Sequence, residues 1–449
     1  MTMPVEGVGV VDVRTLIDRQ RFGAFQARVL ALCAAVEFMD GFDLLAIGVV
    51  APSIGREWHL APGALGLVFG AGLFGVLLGA LIFGPIADRI GRKPVILIST
   101  VIFGLFSLAT VAAHSPASLL AIRLLTGIGL GGAMPNAVSL AIEYAPRKNR
   151  ATMVMLAFCG FALGAAVSGA LAARLIPAYG WPAVFWIGGI VPLLLVPLLA
   201  AALPESIRLL ALLGTDRDRI AAILRRIDPA LAFARDTMFV AREEHRRGLT
   251  VQHLFRAGRA PATLLLWIIF FMSLLDLFLI ASWLPTIITK DGGSVEAGAI
   301  AASLFQIGGI VGAISLGRLI DRMGPYGVLS FAYLGAALFI VGIGSSGAGL
   351  QSIVATTLGA GFCIIGGQIG ANALAANFYP TFIRSTGIGW ALGIGRIGSI
   401  VGPLLVGLLL SLEWPAPSIF QIGAVPALVA AAAVFTMGRM TKAAPATGE

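Results

Sequence analysis

Twelve apolar stretches recur along the chain, at roughly 25–54, 62–87, 94–113, 117–144, 150–174, 181–203, 262–289, 296–320, 326–346, 349–377, 384–412 and 417–438. A helix needs about 20 such residues to cross the hydrocarbon core of a bilayer. Inside lipid every backbone polar group must be bonded within the chain, so these stretches are predicted to be helices. The pattern predicts an all-α membrane protein with 12 transmembrane helices. Its expected parts are a tail over 1–24, a six-helix bundle over 25–203, a linker over 204–260, a second six-helix bundle over 261–438 and a tail over 439–449. Within the linker, Ile220, Ile223, Leu224 and Ile227 fall at helical spacing, which predicts one short amphipathic helix.

The two bundles read as copies of one unit. Asp43, Pro52, Gly75, Gly79, Gly84, Asp88, Arg89 and Gly91 reappear 233 positions later as Asp276, Pro285, Gly308, Gly312, Gly317, Asp321, Arg322 and Gly324. After one residue of slippage, Pro146, Arg150 and Gly164 match Pro380, Arg384 and Gly398. A duplicated membrane unit points to a pseudo-symmetric transporter with its binding site between the halves, near the midplane.

Polar residues inside the apolar stretches are the candidates for chemistry. Glu37, Asp40 and Asp43 share one broad face of the first span at three-residue steps. A charge at the bilayer centre costs roughly 2.5–3.5 kcal/mol, so such acids look into protein or a wet cavity and commonly mark a pathway. They are read as a proton or substrate relay, with a neutralised structural cluster as the alternative. Asp276 joins them through the repeat. Arg123 stands inside the fourth span and needs a partner, for which Asp43 or Asp40 is the natural choice. That pair is either a proton switch or purely structural.

Arg396 lies midway across the eleventh span, where the repeat places Ala162 in the first half, so the fold itself does not demand it. It suits a carboxylate substrate held through a two-pronged pair of hydrogen bonds, or else pairs with Asp276. Trp390 either stacks on a flat ring or packs. Asn136, Gln306, Gln368 and Asn372 are candidate hydrogen-bond partners for a substrate. In the same span, Gly389/Gly393 and Gly398/Gly402 predict a close-packed seam.

Composition agrees with a membrane protein: 58% of the 449 residues are hydrophobic and 12% charged, and mean hydropathy is +0.95. A net charge of +9 would suggest nucleic acid in a soluble protein, but here Lys and Arg gather in alternate loops. That bias places both termini in the cytoplasm of a bacterial inner-membrane protein. No short apolar core precedes Ala24, so a cleaved signal peptide is not expected. Cys33, Cys159 and Cys363 have neither pairing nor metal-ligand spacing, and His59, His114, His245 and His253 fall in loops or at span ends. No metal and no cofactor is expected, and no catalytic constellation of an enzyme is present. Proton coupling would run through carboxylates, with the proton gradient as energy source.

Gly84 to Lys93, with Asp88, Arg89 and Arg92, looks like the signature loop of the major facilitator superfamily, and Gly317 to Gly324 looks like its weaker copy. Both are read as a cytoplasmic latch, in which Gly84 allows tight packing and Asp88 meets basic residues or the start of span eleven. Arg123 to Gly129 resembles the superfamily's second signature. Glu143 and Arg150 belong either to ion pairing at the cytoplasmic mouth or to gating, and Pro204 to Arg208 resembles a sugar-porter element expected to serve the latch. Asp40-Gly41-Phe42-Asp43, with Glu143-Tyr144, Tyr379-Pro380-Thr381, Arg384 and Arg396, resembles the aromatic acid:proton symporter family.

That resemblance implies uptake of a hydroxybenzoate, protocatechuate or gentisate by alternating access. It carries the family's acids onto Asp40 and Asp43 and its arginines onto Arg384 and Arg396, with Arg384 read as a gate residue. Implied partners are the small aromatic carboxylate, protons and the bilayer, with no nucleic acid and a monomeric chain. A sugar or polyol porter and a drug:proton antiporter remain open as alternatives. Asp40, whose repeat position holds Ser273, is the expected dedicated proton site.

Overall fold

The computed structural model describes residues 10–443, apart from 147, 149, 215, 235–236, 242–249, 257, 346–349 and 380–382. Among the described residues six short elements open or interrupt the bundle, the first four being β1 (Val10–Asp12), α1 (Val13–Arg19), and, after six long helices, α8 (Ile207–Leu213) and α9 (Arg217–Ile227). The first six long helices are α2 (Ala24–Glu57), α3 (Pro62–Ile90), α4 (Arg92–Val111), α5 (Pro116–Glu143), α6 (Arg150–Tyr179) and α7 (Pro182–Ala202). After α9 come β2 (Met238–Val240) and α10 (Thr250–Phe255). Six more long helices follow: α11 (Ala260–Lys290), α12 (Val295–Met323), α13 (Pro325–Ser345), α14 (Leu350–Phe378), α15 (Arg384–Ser411) and α16 (Ala416–Ala443). Each long helix falls on one predicted span. α6 runs five residues past the expected end at 174, and α16 runs into the expected tail.

Eleven of the long helices are long and apolar enough to cross a membrane. α2 is the longest at 34 residues, and it carries Glu37, Asp40 and Asp43 near its middle. Exposed side chains such as Leu194, Phe331 and Leu338 clothe the outside, which suits lipid rather than water as solvent.

The same helix pairs form in both halves. α3 packs on α5 as α12 packs on α14; α2 on α6 as α11 on α15; and α4 on α5 and α7 as α13 on α14 and α16. The repeated glycines explain one of these pairs. A side-chain carbon on Gly75 or Gly79 would collide with the carbonyl of Leu124 or Ile128, and one on Gly308 or Gly312 with the carbonyl of Leu358 or Phe362. Gly is what lets the backbones meet.

The halves join through α2 with α11, α3 with α15 and α6 with α12. The contacts gather toward one end. Gly66 lies on Gly407, and Gly48 on Ala281 and Ser282. Ser303 Oγ donates to the Ala166 carbonyl at 2.8 Å, and Phe69 meets Trp283 edge-on at 5.2 Å. At the opposite end α3 stops at Gly91, φ +105°, and α12 stops at Gly324, φ +83°, a conformation that L side chains rarely adopt.

Two readings of small residues need correction at that Gly91 end. Gly389 and Gly393 have open space where a side chain would go, while Gly398 and Gly402 do pack, on the Phe271 and Leu275 carbonyls of α11. The seam is thus half as long as expected, because Gly389 lies nine residues, about 180° around the helix, from Gly398 and so faces away from α11. Gly84 likewise has no neighbour where a side chain would point, so it permits no tight packing here.

The tail and linker are also more ordered than a tail and a linker imply. β1 and β2 pair in parallel, Val10 opposite Met238. Asp12 ends β1 and caps α1 by accepting from the Arg14 and Thr15 amides. Val13 and Ile17 of α1 are buried, and Asp18 pairs with Arg150 at the start of α6 at 2.6 Å.

Candidate functional site

The three acids of α2 occupy three different surroundings. Asp43 is saturated. Its carboxylate accepts from Arg123 at 3.1 Å and from Ser107 Oγ at 2.5 Å, and its carbonyl accepts a second Arg123 bond at 3.2 Å. Arg123 also lies over the Phe185 ring, 5.5 Å from its centre. Both members of the pair are fully buried. An arginine stays charged wherever it sits, so only such a cage makes its burial tolerable. Of the two partners proposed for Arg123, the structure selects Asp43.

Asp40 faces the other half of the molecule. Arg396 of α15 reaches across and places its guanidinium against Met134 of α5 at 3.5 Å. Cys33 lies beside the Ala141 backbone, which sets the register of α2 on α5. Seven residues further along each helix, in opposite directions, Asp40 comes level with Met134. Arg396 accordingly acts electrostatically on Asp40 and on Glu37. It does not pair with Asp276, on which no cation acts among the described residues.

Arg396 is half-buried. Its one hydrogen bond among the described residues goes to a thioether, a weak acceptor. Four of its five donors are left over, in the planar fork that matches a carboxylate. Glu37 is wholly buried, and neither of its oxygens has a hydrogen-bond partner among the described residues.

The uncharged candidates divide. Asn136 is buried and spends its amide on the Gly132 carbonyl of its own helix at 2.8 Å. Gln306 and Gln368 are buried on α12 and α14, and the Gln368 and Asn372 amide oxygens lack hydrogen-bond partners among the described residues. Trp390 stacks on Trp267 of α11 at 5.8 Å, nearly parallel, and is 44% exposed. It therefore takes the packing alternative. Six residues separate it from Arg396, about 240° around the helix, so the two side chains leave on different faces.

A second cluster sits at the Gly91 end. Arg92 pairs with Glu143, and Ser206 Oγ donates to the same carboxylate at 2.7 Å. One Glu205 oxygen accepts from the backbone amides of Arg92, Lys93 and Ser206 at 2.9, 3.2 and 2.7 Å. Gly91 is needed there because a side chain would strike that carboxylate. Tyr144 donates to the Glu205 carbonyl at 2.5 Å. Sequence reasoning placed the Pro204 element at the latch but missed that Glu205 caps the start of α4.

Asp88, Arg89, Asp321 and Arg322 are exposed and make no ion pair among the described residues. The expected contact of Asp88 with the start of α15 is not formed. Arg384 is exposed and donates to the Tyr379 carbonyl at 3.2 Å; Pro380 and Thr381 lie outside the described residues. The halves are apart at this end and joined at the other.

Two packed copies of one helical unit, with an arginine of one copy reaching across to the acid-bearing side of the other, define a multi-pass membrane transporter. The chain belongs to the Major Facilitator Superfamily, whose family model matches residues 33–343 and 266–448. It is a transporter rather than an enzyme. It is 42% identical over 434 residues, 95% of each chain, to the gallate transporter of Pseudomonas putida. It is 39% identical to the 4-hydroxybenzoate transporter PcaK of Pseudomonas aeruginosa, over 96% of this chain and 97% of that one. It is 36% identical to the 3-(3-hydroxy-phenyl)propionate transporter of Escherichia coli, over 93% and 95%. A solved structure of the xylose transporter XylE from E. coli, in a partially occluded inward-open conformation, shares the fold. It superposes with a TM-score of 0.71 at 15% identity, over 95% of this chain and all of that one.

Proposed function

We propose that this protein is a proton-coupled symporter that imports a hydroxylated aromatic carboxylate across a bacterial inner membrane. The observation that carries the reading is Arg396, a half-buried arginine that reaches across the halves yet has, among the described residues, a single thioether for a side-chain hydrogen-bond partner. A carboxylate would fill its fork. The names of the relatives, all transporters of aromatic acids, support the same class. In this reading α2 is the twelfth span, tolerated because its acids face protein, and the Gly91 end and both termini are cytoplasmic.

The cycle follows from charge. Empty, Arg396 is balanced by Asp40. When a substrate carboxylate takes Arg396, Asp40 needs a proton to stay buried, and the loaded centre is then neutral like the empty one. Neutrality lets the halves rock about the site without carrying net charge through the bilayer core. The Arg92–Glu143–Glu205 cluster keeps the Gly91 end of the first half rigid as the latch opens and closes. The Pro204 element belongs to that cluster, away from Arg396, and so does not favour a sugar substrate.

The test is uptake of labelled 4-hydroxybenzoate and gallate by proteoliposomes with an imposed pH gradient, alkaline inside. Accumulation should exceed that in liposomes without a gradient and collapse on adding a protonophore. Uptake indifferent to the gradient would remove the symport reading, and xylose uptake in its place would remove the substrate class.

A further inference from the structure

Glu37 is not used by the cycle just described, and its surroundings are unusual. It lies one helical step from Asp40, which itself lies one step from Asp43, each step rising about 4.5 Å along α2 toward the Gly91 end. Asp43 is saturated and Asp40 faces Arg396, whereas Glu37 is wholly buried with both oxygens unpartnered among the described residues. A carboxylate without donors is disfavoured in such a place, and a carboxylic acid much less so.

The groups around it are few. Asp40 and Cys33 act on it from its own helix and Arg396 from α15. On α5, Arg123 is bound to Asp43, and Asn136 is uncharged. α6 lies against Ala34 and Phe38 through Gly160 and Gly164, and between Arg150 and Arg174 it offers Cys159 as its titratable group. On α11, Asp276 matches Asp43 in the repeat and so belongs to the next level. Glu37 is eleven residues from Gly48, about 20° around the helix, and so shares its face. Gly48 packs on α11 of the other half. Glu37 therefore looks to the seam between the halves, on the side where that seam is open.

We infer that Glu37 is a second proton-binding carboxylate, placed between Asp40 and the Gly91 end to pass on the proton when substrate leaves Arg396. This rests on the symport reading above. In the loaded centre Asp40 and Glu37 both carry protons and the substrate carboxylate balances Arg396. On release, the proton of Glu37 goes to water at the Gly91 end and the proton of Asp40 moves to a Glu37 oxygen. The Asp40 carboxylate then becomes the counterion of Arg396. One O–H bond breaks and one forms at Glu37, one breaks at Asp40, and one proton leaves per carboxylate released.

The test compares wild type with Glu37→Gln and Glu37→Asp in proteoliposomes loaded with 4-hydroxybenzoate. Gln cannot pass a proton on. Glu37→Gln should lose gradient-driven accumulation on the order of tenfold or more, while exchange of labelled for unlabelled substrate, which needs no deprotonation, continues. Glu37→Asp should recover part of the accumulation. Accumulation by Glu37→Gln with the wild-type pH profile would overturn the assignment, as would equal loss of exchange in a folded variant, which would make Glu37 part of the binding site.

Infrared difference spectra recorded between low and high pH without substrate need no Glu37 variant. A carboxyl-protonation band that persists in the Asp40→Asn/Asp276→Asn double variant supports a second carrier, and its absence there overturns it. A wild type that ignores the pH gradient would sink the symport reading itself, a separate result.

Discussion

Asp43 and Asp276 occupy the same place in the duplicated unit, yet they live differently. Asp43 is caged by Arg123 and Ser107. Around Asp276 stand the Tyr333 hydroxyl and Ser273, and no cation acts on it among the described residues. Where Arg123 would recur in α14, 233 or 234 positions on, stand Thr356 and Thr357. The second half thus lacks the buried cation that pins an acid in the first, and places one instead at Arg396, where the first half has Ala162. Duplication supplied a symmetric frame, and divergence moved charge within it. Acids collected on α2, and the cation that meets them came to stand on the opposite half. An ion pair across the halves can be made and broken as they rock; one within a half cannot.

The largest expected effect would test that asymmetry directly. Removing one member of a buried pair leaves the other uncompensated, so Arg123→Ala or Asp43→Asn should each destabilise by about 3–5 kcal/mol. Asp276→Asn should stay within about 1 kcal/mol. Denaturation of the purified variants in detergent measures both, and equal losses at Asp43 and Asp276 would break the comparison. Next in size, Arg396→Lys keeps the charge but loses the planar fork. Uptake of 4-hydroxybenzoate should fall roughly ten- to a hundredfold, whereas a residue needed only for charge would tolerate the change. The smallest effect belongs to Trp390. Replacing it with Ala removes a ring pair worth about 0.5–1.5 kcal/mol and should change apparent substrate affinity less than about twofold. A larger change in affinity would return Trp390 to the site.

The fold was legible because lipid imposes a ruler. A segment that must bury its own backbone polar groups over a fixed thickness announces its type and length. Arg123 could be referred in advance to Asp43 or Asp40, because a buried arginine deep in apolar helices has few other options, but which of the two it meets took the structure. Other features were not legible for equally physical reasons. Glycines at Gly389 and Gly393 say that a backbone could be approached, not that it is. An aromatic such as Trp390 has apolar faces that a neighbouring Trp267 satisfies as well as a substrate ring would. β1 and β2 span three residues each, too short for any periodicity. Glu205 works through backbone amides, which every residue possesses and no side-chain pattern reveals.

The pairing of β1 with β2 also orders events in time. Val10 leaves the ribosome 228 residues before its partner Met238. At about 5–20 residues per second, that is a delay of roughly 10–50 s. All six helices of the first half are translated within that interval, while the leading strand has nothing to pair with. The knot that fastens the start of the chain to its midpoint can be tied only once the first bundle has been made, so it closes behind membrane insertion rather than guiding it.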